Sequence, residues 1–160
     1  MGAGLAAFGM TVAAVMPNEA GAQSKSHEIT VTVTRFKALD KADELSAGDF
    51  FARVTINGKA KDSAIISNKT EASPNWQIST SVPPGVHNVK VQLIDKDVSV
   101  DDPIDINKVA NKRDIDFTVD TRSCKIDGFN QAYKCGATIT RAGTENKKAE
   151  ISFKVSVKKG

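Results

Sequence analysis

The sequence predicts an all-β fold, an eight-stranded antiparallel β-sandwich, and three observations carry that expectation. Ile151–Lys158 alternates apolar and polar residues without a break, as a strand with one buried and one wet face must. Glu28–Phe36 alternates isoleucine and valine with threonine, residues whose β-branching suits a pleated surface. No segment repeats its apolar residues at helical spacing.

The remaining strands follow in chain order. Phe50–Asn57 ends at Asn57-Gly58, two residues that tolerate positive φ and so mark a hairpin. A partner strand is expected over Lys59–Ile66. Strands over Trp76–Val82 and Val86–Ile94 are separated by Pro83-Pro84-Gly85, which continues neither. Asp114–Thr121 alternates again, and Ala137–Arg141 is short but β-branched. Lys108–Arg113 reads as a helical turn. Trp76, the one tryptophan, is expected in the core.

With 160 residues the chain has about one domain's length. A net charge of +3 is too mild to argue for nucleic acid. Two cysteines and two histidines argue against a Cys/His zinc site. Gly2–Met16 is small or apolar throughout, and Ala20-Gly21-Ala22 offers a cleavage site after Ala22. No Lys or Arg precedes that run. Residues 1–22 are therefore expected to be a signal peptide, 23–27 a short tail, and 28–160 a single domain, secreted or otherwise extracellular or periplasmic. In such a compartment Cys124 and Cys135 are expected to form a disulfide, since their spacing is not that of a C-x-x-C redox pair.

The acidic residues cluster. Asp40, Asp43, Glu44 and Asp49 lie between two strands; Asp95, Asp97, Asp101, Asp102 and Asp105 follow the strand ending at Ile94. Crowded carboxylates repel one another, and a hard cation relieves them; calcium takes six to eight oxygen ligands in flexible geometry. The plainer reading is that these aspartates cap turns. An EF-hand is excluded, because the required glycine falls on Val100 and the closing glutamate on Ile106.

This order of strands and acidic loops resembles the C2 domain, the calcium-binding β-sandwich of protein kinase C and synaptotagmin. Leu39-Asp40 matches the family's first loop aspartate. Gly48-Asp49-Phe50 matches the second. Val91–Asp97, followed by Asp101-Asp102, matches the later loop, an apolar strand running into D-x-D. Pro74-Asn75-Trp76 resembles the family's P-x-W. The chain departs from the pattern in a longer first loop with an extra Asp43, in lacking proline after Asp49, and in the cysteine-bearing segment. The resemblance implies a C2-like fold with calcium held by Asp40, Asp49, Asp95, Asp97 and one of Asp101 or Asp102, and with Asp43 and Asp105 as secondary ligands.

No nucleophile elbow or phosphate-binding glycine loop is present, and His27 and His87 have no catalytic setting. Lys147-Lys148 and Lys158-Lys159 read as solvating a turn and the terminus. The sequence thus predicts a secreted, non-enzymatic calcium-binding module that engages an anionic phospholipid or a protein ligand and no nucleic acid. The competing reading is a metal-free exported sandwich, an adhesin-like module or a protein inhibitor.

Overall fold

A computed structural model describes residues 25–40, 47–97 and 100–160. The apolar run 1–22 and Asp43 lie outside the described residues. Strands β1 (His27–Ala38), β2 (Gly48–Ile56), β3 (Lys59–Asp62), β4 (Ile66–Lys69), β5 (Glu71–Ala72), β6 (Trp76–Val82) and β7 (Val86–Asp95) come first. They are followed by β8 (Asp102–Ile104), β9 (Ile115–Asp120), β10 (Lys125–Asp127), β11 (Tyr133–Lys134), β12 (Ile139–Ala142) and β13 (Ala149–Lys159). Every pairing between named strands is antiparallel.

The strands form two sheets. One runs β12-β13-β1, with β5 and β6 both on the far edge of β1. The other runs β11-β10-β9-β7-β2, with β3 and β4 both on β2 and β8 beside β9 on β7. The inward faces meet in one core. Ile29, Val31, Phe36, Ile151 and Phe153 from the first sheet face Val54, Val91, Leu93 and Phe117 from the second, all buried. Phe117 stacks on Phe153 at 5.6 Å, and Phe36 on Trp76 at 5.6 Å, so Trp76 is core as expected.

Seven of the eight expected strands form, the eighth is broken, and the differences are local. In β1 the buried residues run Ile29, Val31, Val33 and then Phe36; the register with β13 shifts between Val33 and Arg35. That bulge inserts one residue and so turns Phe36 inward where strict alternation would turn it out. The single strand expected over Lys59–Ile66 is two, β3 and β4. Between them Ser63 bonds to β2 instead, its hydroxyl accepting from the Ala52 amide at 2.9 Å and its amide donating to the Ala52 carbonyl at 2.9 Å. Asn57 and Gly58 take φ of 48° and 79°, the pair of positive values a tight hairpin needs. The 108–113 segment holds a single turn, Lys112 donating to the Val109 carbonyl, and no helix. His27 is not in a tail: it opens β1, 8% exposed, paired with Lys159 and Val82.

The segment outside the C2 resemblance builds the edge hairpin β10-β11. Its ends are joined by the disulfide between Cys124 and Cys135, and the Cys135 amide donates to the Cys124 carbonyl at 3.0 Å. Closing so short a loop stabilises the fold by about 2–3 kcal/mol.

Candidate functional site

Three connections meet at one end of the sandwich: β1 to β2, β7 to β8, and β12 to β13. Backbone bonds tie them together. The Lys96 amide donates to the Asp49 carbonyl at 2.7 Å, and the Leu39 amide to the Lys148 carbonyl at 2.9 Å. The aspartates expected to bind metal are carried on these ends, but their settings differ.

Asp95 ends β7 opposite Phe50 of β2, so it stands beside Asp49. Its Oδ1 accepts from the Asp49 amide at 2.9 Å. Burial raises the Asp95 carboxyl above the ordinary carboxylate range; the Asp49 amide works against that, and Asp97, Asp49 and Asp102 add repulsion. Gly48 makes room for this carboxylate, since a Cβ there would stand 2.8 Å from both of its oxygens. Asp49 also accepts the Asn68 amide at 3.1 Å through Oδ1.

The other carboxylates meet lysines. Asp102 pairs with the ammonium of Lys147, which the bond to Asp102 holds above its ordinary range, with Asp97 adding to the attraction. Asp40 is nearly buried; it accepts the Lys148 amide at 2.7 Å and faces the Lys148 ammonium at 3.3 Å. Asp101 turns to Lys96 at 2.9 Å, beside Arg53. Lys147 and Lys148, expected merely to solvate a turn, thus reach across to the acidic loops. Nothing local in sequence marks this, because their partners lie 45 and 108 residues away.

Asp105 is set apart from the others. It is fully buried, and its carboxylate is saturated by three backbone amides: Asn107 at 3.0 Å, Thr144 at 2.8 Å and Glu145 at 2.7 Å. It is the capping aspartate of the plainer reading, used to tie the β8–β9 loop to the β12–β13 turn.

Asp49, Asp97 and Asp102 therefore all act on Asp95, and Asp97 and Asp102 also attract the ammonium of Lys147. Among the described residues, no group of three or more His, Cys, Asp or Glu side chains is gathered around a single point. The residues fit calcium in donor type and in charge, being hard oxygens with an excess of negative charge. They do not yet converge, and Asp102 would have to exchange Lys147 for the ion.

The raised Asp95 has a pH consequence in the metal-free chain. The native state binds this proton at a higher pH than the unfolded chain does. Ionised Asp95 therefore weighs against the fold above its native pKa, and the penalty disappears as the pH falls through that value. Asp95→Asn keeps an acceptor for the Asp49 amide. Urea midpoints in chelator should show the variant equal or more stable at neutral pH, with the gain shrinking in mild acid. A gain that grows in acid would contradict the assignment.

No protein-family model matches the chain, and no curated protein is similar to it in sequence. Solved structures are similar in fold. The tandem C2 domains of extended-synaptotagmin 2 match 95% of this chain, and it covers 48% of theirs, at a TM-score of 0.62 and 12% identity. The first C2 domain of plant extended synaptotagmin 1 matches 83%, and the chain covers 95% of it, at 0.54 and 13%. Human GIVD cytosolic phospholipase A2 matches 88% at 0.56 and 15%, but the chain spans only 17% of that enzyme. The fold of this protein is that of a C2 domain.

Proposed function

We propose that this protein is an exported, non-enzymatic C2-type module that takes up calcium at Asp49, Asp95, Asp97 and Asp102 and docks through that end on an anionic phospholipid surface. The observation that carries this reading is the crowding of carboxylates at three strand ends, where Asp95 accepts the Asp49 amide and pairs in register with Asp102, with burial and repulsion both opposing the ionisation of Asp95. Bound there, calcium would supply the positive charge that Lys147 alone does not. Asp49, Asp95 and Asp102 offer oxygens from strand ends, Asp102 opening β8 in register with Asp95, and Asp97 offers them from the connection between β7 and β8. Asp40 and Asp101 stand apart in this reading, engaged by Lys148 and Lys96. Asp43 lies outside the described residues. Leu39 and Val100, 40% and 72% exposed, are apolar groups among the described residues that this end presents to an acyl surface. The C2 folds of the neighbouring structures support the module reading, and the apolar run 1–22 with the disulfide supports export.

A second reading has its own support. Lys147 on Asp102 and Lys148 on Asp40 are ready-made counter-ions, which suits a metal-free binding module. Asp97→Asn separates the two. It keeps an acceptor oxygen and removes one charge. Calorimetric titration should show calcium affinity reduced at least about tenfold, equivalent to about 1.4 kcal/mol. The stability of the metal-free variant should be equal or higher. Equal calcium affinity in both proteins would sink the assignment of Asp97.

A further inference from the structure

A pocket of about 160 Å³ lies between the β8–β9 loop, the loop joining β10 to β11, and β12. Lys108, Lys112 and Arg141 line it, with Phe129 and Asn130. None of the three cations lies in an ion pair with a carboxylate among the described residues; the lysines and arginines that do are Arg35, Arg53, Lys90, Lys96, Lys125, Lys147 and Lys148. Asp116 also lines the pocket, but it leans toward Lys90 at 3.9 Å.

The loop that carries the two lysines is braced, and so is the Arg141 guanidinium. Asn107 donates to the Asp114 carbonyl at 2.5 Å and accepts from the Val109 amide at 3.0 Å, so the loop carrying both lysines is closed on itself. The Asn111 amide anchors that loop to Glu145 at 3.0 Å. Arg141 lies over the Phe129 ring at 4.4 Å, with Tyr133 at 5.8 Å, and donates to the Thr140 carbonyl at 2.7 Å. The guanidinium therefore has a fixed plane. Holding three like charges around one concavity costs free energy that an anion would return, and a prepaid frame lowers the cost of binding one.

We propose that this pocket binds a phosphate monoester group. Its volume is well below the roughly 300–1,000 Å³ of sites for drug-sized ligands, so it suits one small tetrahedral anion. Three positive charges against the one carboxylate of Asp116 favour a dianion over a monoanion, and the flat fork of an arginine matches two phosphate oxygens at once. The group is either free in solution or the headgroup of a lipid.

The test is run on the full chain in chelator, so that it reports this pocket whatever the acidic end does. Inorganic phosphate and glycerol 3-phosphate are titrated while the backbone amides of Asn111 and Asn130 are followed by NMR, with sulfate as the monitor of general anion attraction. Saturable shifts are expected for both phosphates, and weaker ones for sulfate. Lys108→Ala with Lys112→Ala, both exposed positions, should weaken phosphate binding about tenfold or more without lowering the melting temperature. Should that pair fail to fold, Lys112→Gln alone gives the same reading. Phosphatidylcholine vesicles carrying phosphatidic acid, compared with phosphatidylglycerol, assign the source. Binding to phosphatidic acid beyond that of glycerol 3-phosphate makes the group a headgroup; equal binding makes it a free monoester. Absent saturation, an equal response to sulfate, or unchanged affinity in the lysine variant overturns the proposal.

Discussion

Replacing Asp105 with alanine is expected to destabilise the fold by at least about 3 kcal/mol. The side chain is fully buried and each of its oxygens is used, one by the Asn107 amide and the other by the Thr144 and Glu145 amides. Alanine leaves three amides facing a space without an acceptor, and a buried donor without a partner costs about 1–3 kcal/mol. The backbone of Asp105 is equally committed, its amide to the Lys147 carbonyl and its carbonyl to the Ala149 amide, both at 2.8 Å. Loss of the side chain therefore loosens the junction that carries Lys147 and Lys148. The denaturant midpoint should fall sharply with an unchanged slope. An effect below about 1 kcal/mol would show that the carboxylate is not the anchor of this junction.

Gly143→Ala is expected to be comparably severe, for a steric reason. A Cβ at Gly143 would stand 2.1 Å from the Asp105 carbonyl oxygen and 2.6 Å from the carbonyl carbon. Those are backbone atoms inside a bonded junction, so neither can rotate away. The chain must part there, which strains the Gly143 amide bond to the Ala149 carbonyl as well. Overpacking of this kind costs about 1–3 kcal/mol even where side chains can adjust, and more where they cannot. Thermal unfolding of the variant should show a drop of roughly 5–10 °C, the scale of a few kcal/mol in a domain of this size. A wild-type transition would contradict the close approach.

The strands were legible because their signal is local. Alternation in Ile151–Lys158 and Glu28–Phe36 reports burial directly, and Asn57-Gly58 names its own turn. What the alternation hid was the bulge that turns Phe36 inward, since an inserted residue shows only against the register of β13. The β3–β4 break was hidden for a related reason: Ser63 leaves the ladder through contacts with Ala52 across the hairpin. The acidic end was legible as a place rather than as a geometry. Asp49 and Asp95 are brought together by the β2–β7 pairing, as the C2 resemblance implies. Asp105 looks the same in sequence as its neighbours, and only its three amide partners distinguish it. Gly48 and Gly143 each make room for an aspartate distant in sequence, so neither gave any sign of it.

The measurement that tests the central claim most directly is thermal unfolding of the chain in calcium and in chelator. A ligand that binds only the native state, at a hundredfold excess over its Kd, stabilises by about 2.7 kcal/mol. The melting temperature should then rise by on the order of 5–10 °C with calcium. Magnesium, which demands tighter octahedral geometry, should raise it much less. A melting temperature equal in millimolar calcium and in chelator would contradict the calcium reading and leave the lysine-closed, metal-free C2 fold in its place.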